Sequence, residues 1–127
     1  MLTTSGGFSG FSVDDLGAAL VFYRDTLGIT VVDTQMGLQL DVTGGAPVFV
    51  YEKTSGHVPA TFTVLNFEVA DIDVAVDELV AAGVTIERYA GTDQDEKGIA
   101  RGKGANRGPD IAWFLDPAGN ILSVLSN

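Results

Sequence analysis

The chain has 127 residues, 46% of them hydrophobic and none of them cysteine, a composition that fits one folded domain and excludes disulfides, thiolate metal sites and cysteine nucleophiles. Its 17 acidic and 7 basic residues give a net charge of −10, which repels phosphate backbones and anionic lipids, so neither nucleic acid nor a membrane is an expected partner. No basic leader opens the sequence and no apolar run approaches the roughly 18 residues of a membrane span, so a cytoplasmic protein is expected.

Taken in chain order, Ser9-Gly10-Phe11-Ser12-Val13 alternates as a strand, with Phe11 and Val13 on one face. Asp15 is a good helix N-cap, because its carboxylate accepts first-turn amides. Leu16, Ala19, Leu20, Tyr23 and Leu27 then form one apolar helical stripe, and Gly28 supplies a left-handed end. Strands are predicted near 29–34, 37–42 and 47–52, the last two joined by Gly44-Gly45. A Ser-Gly-His-Val-Pro connector follows, where the only histidine, His57, is expected at the surface. A strand over 62–69 places Leu65, Phe67 and Val69 on one face. Asp71 caps a second helix striped by Ile72, Ala75, Val76 and Leu79 and ended by Gly83. Strands near 84–89, 110–116 and 120–125 complete the chain, the last pair joined by Asp116-Pro117-Ala118-Gly119-Asn120.

The order β-α-β-β-β thus occurs twice, and the residues repeat with it. Val13, Asp15, Leu16, Ala19 and Leu20 match Val69, Asp71, Ile72, Ala75 and Val76 at one constant offset. After a slip of one residue, Gly28-Ile29 match Gly83-Val84.

Three stretches, Val13-Asp14-Asp15-Leu16 with Phe22-Tyr23 and Leu27-Gly28, Val69-Ala70-Asp71-Ile72 with Ala81-Ala82-Gly83, and Ile111 through Asn120, carry a resemblance. In this order the chain resembles the glyoxalase/bleomycin-resistance/dioxygenase (vicinal oxygen chelate) superfamily over essentially its whole length. The resemblance implies an α+β fold of two βαβββ modules, about 1–56 and 57–127, whose curved mixed sheets form a cup. It further implies a metal site in the family's metalloenzymes, with His, Gln or Glu ligands from the first and last strands of each module. Aligned on those motifs, the ligand positions fall on Phe8, Val64, Ser123 and, in the least constrained register, Val50. Phenylalanine and valine cannot coordinate a cation and a neutral serine does so poorly, so no metal and no other cofactor is expected. A two-residue slip in the fourth strand would bring Glu52 into place, but one carboxylate does not make a site.

If Phe8 and Val64 face inward, alternation brings Gly10, Ser12, Phe62, Asn66 and Glu68 inward, with Ser123 and Leu125, and Val48 and Glu52 beside Val50. That is a mostly apolar ligand pocket with a few polar groups, or simply core that plugs the cup. Asn66 is notable because a buried mid-strand amide needs hydrogen-bond partners. The connector 90–109 holds Lys97, Arg101, Lys103 and Arg107, four of the chain's seven basic residues. It reads either as a lid for an anionic ligand, through Lys97 and Arg101, or as a solvated loop.

The residues therefore favour a metal-free protein that holds a small organic ligand, and the resemblance, with the frequency of closed two-fold dimers, implies a homodimer. The alternative is a metal-independent or unusual-site enzyme of lyase, isomerase or dioxygenase type, using Glu52, Glu68 or Lys97. A structural or regulatory partner is the third reading.

Overall fold

Strand β1 (Ser9–Val13) leads into helix α1 (Leu16–Leu20), where the Asp15 carboxylate accepts the Ala18 amide at 3.0 Å. The helix then widens to π geometry over Val21–Thr26, with the Leu27 amide reaching back to the Phe22 carbonyl. A π turn accommodates one extra residue. It is the structural form of the one-residue slip between the two sequence copies, since the second helix stays α-helical. The widened turn closes at Gly28, whose φ of 71° only glycine adopts freely, and Ile29 N–H donates to the Tyr23 carbonyl.

In the computed structural model, which describes residues 1–127, the chain divides into two compact units, Met1–Val58 and Pro59–Asn127. The first unit adds β2 (Thr30–Asp33), β3 (Leu38–Asp41) and β4 (Val48–Glu52) to a mixed sheet of order β1-β4-β3-β2. Parallel pairing of β1 with β4 sets Phe11 opposite Val50 and Ser12 opposite Tyr51. Phe11, Val13, Leu38, Leu40, Val48 and Val50 share one face, and with Ala19 and Tyr23 they are the buried core of this unit.

The second unit repeats the plan. It consists of β5 (Thr63–Glu68), helix α2 (Ile72–Ala81), β6 (Ala100–Arg101), β7 (Asp110–Leu115) and β8 (Ile121–Ser126), in sheet order β5-β8-β7-β6. Asp71 caps α2 by accepting from the Asp73 and Val74 amides. Ile72, Ala75, Val76 and Leu79 on the helix and Phe67, Ala112, Phe114, Leu122 and Val124 on the strands are buried. The 116–120 turn is held from inside: the buried Asp116 carboxylate accepts from the amides of Ala118 and Asn120 and from the Asn120 side chain.

One predicted strand does not form. Over 84–89 only the Glu87 amide bonds to β7, at the Trp113 carbonyl. The Gln94 side chain takes two further backbone groups of this segment, accepting from Tyr89 N–H and donating to the Glu87 carbonyl, and also donates to the Gly98 carbonyl. The place beside β7 goes instead to β6, inside the stretch read as a loop. No helix is long and apolar enough to cross a membrane.

Candidate ligand-binding faces

Each sheet has one face packed under its own helix, and the opposite face carries the candidate side chains. In the first unit that open face holds Ser12, Phe49 and Tyr51, set by the β1–β4 register. Phe49 and Tyr51 stack with centroids 6.1 Å apart, and Phe8, 72% exposed, meets Phe49 edge-on at 6.4 Å. Phe8 and Ser12 lie on this open face. Val50 does not: it is fully buried in the core and pairs with Phe11. Glu52 follows it by strand alternation, opposite Val13. The repeat alignment explains the correction. Gly10 aligns with Asn66, and Asn66 pairs with Ser123 while Gly10 pairs with Phe49, so Phe49 is the fourth-strand counterpart of Ser123. The alternation of Val48 and Val50 against Phe49 and Tyr51 is the sequence signal for this.

His57 is also placed differently from expectation. A turn over Thr54–Gly56 brings it back to β1, where it is half-buried and Nδ1 shares a hydrogen bond with Ser12 Oγ at 2.8 Å.

In the second unit Asn66, Ser123 and Trp113 are in register across β5, β8 and β7. The Ser123 hydroxyl is fully buried and donates to Asn66 Oδ1 at 2.5 Å, whereas Asn66 itself is exposed, so the expected buried amide is not found. Glu68 is exposed on the same face. Pairing shifts register between Thr63 and Leu65, which puts Val64 at a bulge and interrupts the alternation that was to carry Phe62 inward; Phe62 is 67% exposed and precedes the strand. Tyr89 packs edge-on against Trp113 at 5.6 Å, and burial, with Glu87 nearby, pushes its phenol pKa up.

The basic connector is tied to the helix side. Arg101 makes a two-pronged contact to Asp73 at 2.8 and 3.0 Å and reaches Asp95 at 2.9 Å. Lys97 contacts Asp77 at 2.9 Å and Asp73 at 3.2 Å. Hydrogen bonds from Arg101 and then Lys97 hold Asp73 down at about 2. Lys97 and Arg101 therefore serve carboxylates of their own unit and are not a lid over an open face.

The donor chemistry does not fit the family's metal. Phe8, Val64 and Phe49 have no donor atoms, Ser123 is committed to Asn66, and no cluster of three His, Cys, Asp or Glu side chains is present.

The model of the Glyoxalase/Bleomycin resistance protein/Dioxygenase superfamily matches residues 8–124. The chain belongs to this superfamily. No curated protein matches this superfamily member significantly by sequence. Among solved structures it is similar to TnmS3, an antibiotic binding protein from Streptomyces sp. CB03234, at 20% identity and TM-score 0.70, covering 99% of this chain and 98% of that one. A superfamily member from Sphaerobacter thermophilus DSM 20745 is 24% identical with TM-score 0.71 over the full length of both chains. Lactoylglutathione lyase from Agrobacterium tumefaciens is 20% identical with TM-score 0.66, covering 98% and 95%. At these identities the likeness is one of fold.

Proposed function

We propose that this superfamily member binds a small organic molecule against its open sheet faces, without the metal ion of the family's metalloenzymes. The observation that carries the reading is an aromatic shelf, Phe8, Phe49 and Tyr51, which puts Phe8 and Phe49 at two of the metal-donor positions, with the Ser12–His57 pair as its polar edge. Stacked aromatic surface beside a few polar groups is the usual composition of a small-molecule site. The similarity to a protein described as antibiotic binding supports the same reading.

The purified protein is expected to contain far less than one equivalent of Zn²⁺, Ni²⁺, Fe²⁺ or Mn²⁺. About one metal ion per chain by elemental analysis overturns the metal-free reading. In a mass-spectrometric screen of small organic compounds, Phe49→Ala and Tyr51→Ala are expected to weaken the hits while leaving the fold intact. Hits that neither variant affects would remove the shelf from the site. A homodimer is part of the proposal, since closed two-fold dimers are the commonest assemblies, and a monomer mass by light scattering at micromolar concentration counts against it.

A second reading, a metal-independent enzyme, is favoured by one observation, the 2.8 Å Ser12–His57 contact, which pairs a hydroxyl with a base. Conversion of a bound compound by the parent protein, lost in Ser12→Ala, would select it.

A further inference from the structure

Across the open face of the second unit, Trp113, Ser123 and Asn66 form one row, a residue from each of three adjacent strands. Their hydrogen-bonding capacity is unbalanced. The Ser123 hydroxyl is used up on Asn66 Oδ1, which leaves the amide nitrogen of the exposed Asn66 side chain as a donor. The Trp113 indole N–H has no acceptor in the chain. Beyond Trp113, the Tyr89 hydroxyl is the one buried side-chain polar atom without a hydrogen-bond partner. Buried donors are rarely left without acceptors, because desolvation is then uncompensated. The rows on either side are apolar on β7 and β8, Ile111 with Leu125 and Leu115 with Ile121, and end on β5 in Glu68 and Thr63. A line of donors roughly 10 Å long, two strand spacings, thus runs between rows that are apolar on β7 and β8.

We propose that Tyr89, Trp113 and Asn66 form a subsite that reads the oxygen edge of a flat, uncharged ligand bearing carbonyl or ether acceptors. This rests on the small-molecule reading above and adds to it a ligand class and a second set of residues. Lack of charge follows from Glu68, exposed on the same face, and from the net charge of −10, both of which oppose a carboxylate or phosphate. Lys97 and Arg101, which would attract an anion, are engaged by Asp73, Asp77 and Asp95. The Tyr89 hydroxyl, buried in the free chain, meets a ligand oxygen when its ring tilts off Trp113, which gives up the edge contact to that ring.

The test uses 9-fluorenone and fluorene, which share a flat three-ring body and differ at one carbonyl. Binding is followed by equilibrium dialysis and by quenching of Trp113, the only tryptophan. A site built around donors rejects the analogue that lacks the acceptor, so fluorenone is expected to bind at least about tenfold tighter. Tyr89→Phe should lose most of that preference while its melting temperature holds or rises, because an unsatisfied hydroxyl has been removed. A purely structural tyrosine would not produce that combination. Equal affinity for the two compounds, or a Tyr89→Phe variant that keeps the preference, overturns the inference and leaves small-molecule binding at the aromatic shelf standing. Binding of neither compound also overturns it, and the Phe49→Ala and Tyr51→Ala screen then judges the wider reading on its own.

Discussion

Thr54 holds φ at 46°, a left-handed conformation that a β-branched residue enters only when its surroundings impose it. The demand comes from the turn that returns His57 to Ser12, so local strain and the polar edge of the aromatic shelf have one origin. Asparagine tolerates this conformation, and Thr54→Asn is expected to stabilise the chain by about 1 kcal/mol in urea denaturation. A loss instead would mean that the Thr54 hydroxyl bond to the Lys53 carbonyl outweighs the strain. Among single residues, Ser12 and Asn66 are legible as face residues because strand alternation reports direction. His57 is not, since a connector has no periodicity from which to read a return path. Trp113 is not legible as a site residue, because its segment explains itself fully as a strand leading to a tight turn. Its lack of an indole acceptor exists only once neighbouring strands are in register.

At the scale of elements, the helices were legible from their caps and stripes, and even the π turn left a trace as the one-residue slip. The 84–89 strand failed because alternation cannot foresee a competitor, here the Gln94 amide that occupies the backbone groups a ladder would have used. The charge of the connector 90–109 was visible, but its direction was not, because the partners Asp73 and Asp77 lie on α2. Those ion pairs give a pH dependence with a definite sign. Asp73 titrates at about 2 in the folded chain, below the roughly 3.9 of a free aspartate, so its ionised form stabilises folding. That contribution is complete above about pH 4 and is lost as pH falls through 2. Asp73→Asn should therefore melt below the parent at pH 7, with the gap closing as pH approaches 2. Because Asp73 is nearly half exposed, at 46%, the gap should be modest and should shrink with added salt. A gap unchanged from pH 7 to 2 would assign the effect to helix α2 itself.

For the whole molecule, the doubled β-α-β-β-β order could be read from sequence because repeats and caps are local signals, and the family match spans residues 8–124. The chemistry was less accessible. Which side chains share a face depends on inter-strand register, and a one-residue difference in β4 exchanges Val50 for Phe49.

The two sheets draw all their strands from opposite sides of Val58, and no ladder crosses it. Immediately before it His57 is fixed to Ser12, and shortly after it the Ala60 amide contacts Asn120 Oδ1, while Val58 itself is 80% exposed. The seam is thus two residues wide, Val58 and Pro59, anchored on both flanks, and a natural port for inserting foreign sequence. A ten-residue Gly/Ser segment placed after Val58 adds loop entropy without breaking a strand pair, so about 1–2 kcal/mol of stability is the expected loss. Thermal melting and circular dichroism would check this, and a collapse of strand signal would show that the port is closed.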